Sequence, residues 1–231
     1  SMSKSKKNTI DPENIIDDYG ADSVRLFILS DSPPEKDVQW SEEGMSASFK
    51  FIQKLWTLHN KVLREIENNS SSEGGNELLK FTHKFVKKIS QNLDNFSYNI
   101  VVANMHEMYS FLIKELDNKY SKKSILENYK KILISIMPVV PHFANECLKN
   151  LNLENNISWP EYDDNLTKEN NILVVIQING KKRGLIKSSN NLSEDALMKL
   201  IQNDEKLQKY IEDKKIRKKI YIQDKLINII V

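Results

Sequence analysis

The sequence predicts a mainly α chain: an antiparallel helix bundle followed by a small α+β domain of β-β-α-β-β order. Three observations lead there. Between Phe49 and Leu151, apolar residues recur at steps of three and four, which places them on one face of successive helices. After Asn171 that period stops, and β-branched runs joined by Asn179-Gly180 and Asp224-Lys225 take over. Only 6 of 231 residues are glycine, which argues against a glycine-rich nucleotide-binding fold within the chain.

Each element has a local cause. Asp11 before Pro12 is an N-cap followed by proline in the first helical turn, and Gly20 is the stop. Asp22 caps a second helix that runs through Val24, Leu26 and Phe27 to about Leu29. Ser32-Pro33-Pro34 closes it, because a residue before proline avoids the helical region. Phe49, Ile52, Trp56, His59, Leu63 and Ile66 form the first long stripe, and the polar run from Asn68 to Asn76 is a loop. Leu78, Thr82, Phe85, Ile89 and Leu93 form the second stripe; Val101, Met105, Met108, Leu112 and Leu116 form the third. Ile125, Tyr129, Leu133 and Ile136 form the fourth, ended by Pro138, and Pro141 opens a short helix with Phe143, Cys147 and Leu151. Core packing accounts for these stripes.

Trp159-Pro160 and the polar stretch to Asn171 form a tether. ILVVIQI at 172–178 is a strand, and Asn179-Gly180 turns it into a hairpin, since both turn positions need positive φ. Ser193 caps a helix with Leu197, Leu200 and Ile201 on its apolar side, and a second short helix holds Leu207, Tyr210 and Ile211. KIRKKIYIQ alternates, with Ile216, Ile220 and Ile222 on one face and Arg217, Lys219 and Tyr221 on the other. LINIIV closes the sheet.

Charge is uneven along the chain. Residues 172–231 hold 13 Lys and Arg against 7 Asp and Glu, a net of +6, whereas the rest is at −4. A basic module at this end suits a polyanionic partner, and a solvated lysine-rich surface explains the count equally well. One cysteine, Cys147, excludes an internal disulfide and fits a reducing, cytoplasmic compartment. No apolar run approaches the length of a membrane span. The four histidines, His59, His83, His106 and His142, lack metal-ligand spacing, so no metal site is expected. Trp40, Trp56 and Trp159 are expected as packing anchors. Asp22 and Arg25, three apart on one helix, could pair with each other or brace a neighbouring segment.

Met2-Ser3-Lys4-Ser5 resembles the Lys-Met-Ser-Lys-Ser signature of class I aminoacyl-tRNA synthetases. The stretch from Asn8, containing YGADSVRLF, resembles the segment after that signature in the leucyl, isoleucyl and valyl branch. FKFIQKLW and MPVVPHFANECL resemble helices of the anticodon-binding bundle, and VVIQINGKKRGLI with the closing KLINIIV is similar to the C-terminal domain of bacterial-type leucyl enzymes. Together these matches run from Met2 to Val231. Ser1 stands where the signature has its first lysine, so nothing is carried to that position.

The resemblance implies the C-terminal portion of a leucine–tRNA ligase whose whole enzyme uses ATP and Mg2+, with the catalytic and editing parts upstream. Lys4 would stabilise the triphosphate as pyrophosphate leaves, flanked by Met2, Ser3 and Ser5 in a small loop; without the rest, no aminoacylation or editing and no bound cofactor is expected. The implied division is a signature loop and connecting helices at 1–40, a tRNA-binding bundle at 41–160, a tether at 161–171 and a tRNA-corner domain at 172–231. The implied partner is tRNA(Leu), bound by a monomer. Candidate phosphate contacts are Lys181, Lys182, Arg183 and Lys187 on the hairpin and Lys215, Arg217, Lys218 and Lys219 on the third strand, expected to share one edge of an antiparallel sheet. Helix-face cations Lys50, Lys54, Lys61, Arg64, Lys84, Lys87 and Lys88 are further candidates. The same region of an isoleucyl or valyl enzyme, or a non-enzymatic RNA-binding or assembly protein, are the alternatives.

Overall fold

The computed structural model describes residues 9–31, 33, 35–68, 76–117, 120–168, 171–212 and 214–231. The chain divides after Thr167 into two units.

The first unit is helical: α1 (Pro12–Tyr19), α2 (Ala21–Asp31), α3 (Glu42–Asn68), α4 (Asn76–Asp94), α5 (Tyr98–Glu115), α6 (Lys122–Ile136), α7 (Pro141–Asn150) and the single turn α8 (Asp164–Thr167). Helix α1 starts as expected, with the Asp11 carboxylate accepting the Glu13 N–H at 3.1 Å. It ends at Gly20, whose φ of 82° is open to glycine at little cost. The stripes on α4, α5 and α6 are buried as expected, save that Leu93 is half-buried.

On α3 the buried set differs from the expected stripe. Phe51, Ile52, Leu55, Leu58, His59, Val62 and Ile66 are buried, while Phe49, Trp56 and Leu63 are only half-buried. The reason is that α3 is packed by α1, α2, α5, α6 and α7 together, so its buried arc is wider than one stripe.

Residues 159–167 lie along α4. The Trp159 indole N–H donates to Ser90 Oγ at 2.8 Å, and the Asp163 N–H donates to His83 Nδ1 at 2.8 Å. Lys87 Nζ meets Asp164 Oδ1 at 2.7 Å.

The second unit contains β1 (Asn171–Ile178), β2 (Lys181–Ser189), α9 (Glu194–Asn203), α10 (Glu205–Gln208), β3 (Lys218–Ile222) and β4 (Leu226–Ile230). Asn179 and Gly180 adopt φ of 50° and 76°, the left-handed pair that a two-residue hairpin needs. The strand order is β2-β1-β4-β3, with both hairpins antiparallel and the central β1–β4 pair parallel. Two sequence expectations fail here. The sheet is mixed, because the α9–α10 crossover returns the chain to the far side of β1, and a crossover is what a parallel pair requires. The hairpin and β3 therefore occupy opposite edges of the sheet, not one shared edge.

Strand β3 alternates as read from the sequence, with Ile220 and Ile222 on its open face, 40% and 47% exposed. Tyr221, opposite the fully buried Ile227, faces the helices and donates its hydroxyl to the Leu192 carbonyl at 2.6 Å. Alternation separates two faces; it does not say which one a helix will cover. Val174, Ile176, Ile227 and Ile229 make the core with Leu197 and Ile201 of α9.

Candidate nucleic-acid interface

The signature-loop residues Met2, Ser3, Lys4 and Ser5 lie outside the described residues. The chain enters the described region at Thr9, and α2 is tied to the bundle behind it. Asp22 is buried, and its two carboxylate oxygens accept the backbone N–H groups of His142 at 3.2 Å and Phe143 at 2.6 Å. Helix α7 has Val140 at its N-cap and no side-chain cap of its own, so Asp22 supplies that cap from a distant helix. Arg25 donates its Nε to the Val139 carbonyl at 3.1 Å and its Nη2 to that of Pro138 at 2.6 Å. The acid meets the positive end of α7 and the base meets carbonyls just past the end of α6, the sense that both helix dipoles favour. Asp22 and Arg25 thus brace the α6–α7 turn together, which settles the alternative the sequence left open.

The helix cations fall into two groups. Lys61 is held by Asp117 at 2.6 Å, Lys87 by Asp164 at 2.7 Å and Lys88 by Glu107 at 3.0 Å. Lys84 also has a partner. Lys50, Lys54 and Arg64 on α3 are exposed and form no ion pair among the described residues. At 3.6 residues per turn they fall within an arc of about 80°, away from the buried side, along roughly 21 Å of helix. A row of this kind matches a run of phosphates better than a single anion.

In the second unit, register places the candidates. Lys181 lies opposite Ile178, Lys218 opposite Ile230, and Ile178 is paired with Ile229 across the parallel centre. Lys181 and Lys182 therefore share one end of the sheet with Arg217 and Lys218, across three strand spacings or about 14 Å. Lys215 precedes β3 at the same end and is exposed. Lys187, opposite Leu173, is near the other end of β2. Lys219 is committed elsewhere: Glu194 at 2.8 Å and Asp195 at 3.9 Å neutralise it at the start of α9, and the Glu194 hydrogen bond raises its pKa.

The β1–β2 register shifts between Ile176 and Gln177, so that Gly184 faces Ile176, Lys182 faces Gln177, and Arg183 is the extra residue. The Arg183 guanidinium lies over the Tyr210 ring, 4.5 Å from its centre, and Lys209 Nζ lies 5.2 Å from the same centre. Sequence reasoning singled out Arg183 but passed over Lys209 and Tyr210. No local signal links them, because the contact joins β2 to the turn after α10.

Burial lowers the pKa of His59; burial and then Lys131 lower that of His83; burial and then Lys54 lower that of His106. Among the described residues no group of three His, Cys, Asp or Glu could hold a metal ion. Among the same residues, no helix is long and apolar enough to cross a membrane.

Comparison with known proteins places this architecture. Residues 75–201 match the anticodon-binding domain of tRNA ligases, and residues 1–41 match the class I tRNA synthetases for I, L, M and V. The chain is 34% identical over 245 residues to a leucine–tRNA ligase of Petrotoga mobilis, covering all of this chain and 30% of that protein. It is 37% identical over 237 residues to a leucine–tRNA ligase of Wolbachia pipientis, covering all of this chain and 28% of that one. Its fold matches the LeuRS of Agrobacterium radiobacter K84, solved as a LeuRS-tRNA-LeuAMS ternary complex, with a TM-score of 0.79 at 21% identity over 99% of this chain and 31% of that one. The chain belongs to the class I tRNA ligases, and within them to the leucine–tRNA ligase family. It spans 30% or less of the length of the curated relatives named here.

Proposed function

We propose that this chain is the C-terminal, tRNA-binding portion of an enzyme that joins leucine to tRNA(Leu) with ATP and Mg2+. In the whole enzyme, Lys4 meets the triphosphate and stabilises charge on the departing pyrophosphate. The 231-residue chain by itself, at 30% or less of the length of its relatives, neither activates leucine nor edits a mischarged tRNA. Its own work is to hold RNA, as a monomer in the cytoplasm.

The observation that carries this proposal is the end of the small sheet. Lys181, Lys182, Arg217 and Lys218 are gathered there, exposed, with no ion pair among the described residues. Cations without internal partners are available to phosphates, which fix position and orientation on RNA without reading sequence. The row on α3 supplies the same kind of contact for the first unit.

Filter binding of a tRNA(Leu) transcript to the chain across a salt series tests it. Replacing Lys181, Lys182 and Lys218 together by alanine should weaken binding and flatten the slope of log K on log salt by about 2 to 3, roughly one counterion for each phosphate contact. Unchanged affinity and slope in that triple variant would overturn the proposal.

A further inference from the structure

We infer that Arg183, Lys209 and Tyr210 form a second phosphate-binding site on the helix-covered side of the sheet, a two-cation clamp for an RNA phosphodiester. The inference rests on the RNA-binding function proposed above and adds a site distinct from the lysines at the sheet end.

Three features of the fold build it. The bulge in β2 inserts Arg183 as an extra residue, which frees its side chain from the strand alternation. Gly184, next to it, has no Cβ, and one placed there would lie 2.9 Å from Leu207 Cδ2. That absence lets the α10 turn close on β2 and brings Tyr210 against Arg183. Tyr210 is half-buried beside the core of the unit, so its ring is a fixed platform.

The electrostatics point to an anion. Two cationic groups each lie within 5.2 Å of one ring centre, and neither forms an ion pair among the described residues. Like charges brought together this way repel. The ring offsets part of that cost by cation–π attraction, and an arriving anion would remove it. Lys219 on the far edge makes the contrast, since two carboxylates already neutralise it. The Arg183 guanidinium, with its central carbon 4.5 Å from the ring centre, carries five N–H donors in a fork that fits two phosphate oxygens at once. Lysine in its place would keep the charge and lose the fork.

The test uses the whole chain and the same tRNA(Leu) transcript in a salt series. Lys209→Ala and Arg183→Ala should each flatten the slope of log K on log salt by about 1. Arg183→Lys should weaken binding several-fold with the slope unchanged, because charge is kept and the two-oxygen fork is lost. Tyr210→Ala should weaken binding with both charges intact. Lys199→Ala, an exposed cation on α9, is the control and should change the slope by less than either. Hydrogen exchange of the β1 and β4 amides in each variant shows whether the unit stays folded. If the sheet-end triple variant loses affinity while Lys209→Ala, Arg183→Ala and Arg183→Lys bind like the parent, the clamp is wrong and the RNA-binding function stands. If the parent chain binds no tRNA at all, both are wrong.

Discussion

Replacing Asp22 by alanine should loosen the helical unit by about 2–4 kcal/mol, far more than a surface carboxylate normally contributes. The magnitude comes from the groups left behind. Asp22 accepts two N–H groups at the start of α7, and the one from Phe143 is buried. Hydrogen bonds to a charged group contribute about 1.5–3 kcal/mol each, and a buried donor stranded without a partner costs about 1–3 kcal/mol. Val140, at the N-cap position, has no side-chain oxygen to take over. Water reaches the half-buried His142 N–H more easily, which keeps the total below the sum of two full bonds. Asp22→Asn keeps the shape and one acceptor oxygen, so it should cost about half as much. The assay is urea unfolding followed by tryptophan emission. Trp40, Trp56 and Trp159 all precede Thr167, so emission reports the helical unit and not the sheet. Trp56 packs edge-on to Phe143 at 4.9 Å, which makes it a direct witness of α7. With a slope near 2 kcal/mol per molar, the midpoint should drop by about 1–2 M. An Asp22→Ala protein whose midpoint lies within about 0.2 M of the parent would refute the capping argument.

Two further outcomes are expected from the same structure. The pKa values of His59 and His83 are lowered from 6.5 by burial, so the unfolded chain takes up protons first as pH falls. Their contribution to stability is full above about pH 6.5 and is lost as pH falls below it; protonated His83 would also set an N–H against the Asp163 N–H it now accepts. The urea midpoint should fall between about pH 7.5 and pH 5.5, and His83→Gln should flatten that fall; an equally steep fall in the variant rules out this role. Gly184→Ala should destabilise the sheet unit by about 1–3 kcal/mol, because its Cβ would press on the buried Leu207. Hydrogen exchange of β1 and β4 amides reads this directly, and unchanged protection would show that Leu207 gives way freely.

How much was legible in the sequence depended on the range of the interaction. The α1 cap at Asp11, the stop at Gly20 and the turn at Asn179-Gly180 were legible because each is decided within a few residues. The Val101-to-Leu116 stripe on α5 was legible because that helix buries a single face. The buried arc of α3 was not, since five neighbours share it. The role of Asp22 and Arg25 was hidden for a similar reason: their partners lie more than 100 residues away.

The candidate site divides the same way. Sequence alone determined that positive charge is concentrated after Ile172, that the helices amount to a bundle, and that a hairpin carries Lys181, Lys182 and Arg183. These come from composition and from periodicities of two and 3.6, which any chain carries in its order of residues. Only the tertiary structure decided that β2 and β3 are opposite edges, that Lys219 is neutralised by Glu194, and that Arg183 meets Tyr210. Strand order is set by which side of β1 the crossover helix returns to, and a side chain's free charge by what folding brings beside it. Neither is written within the reach of a local pattern.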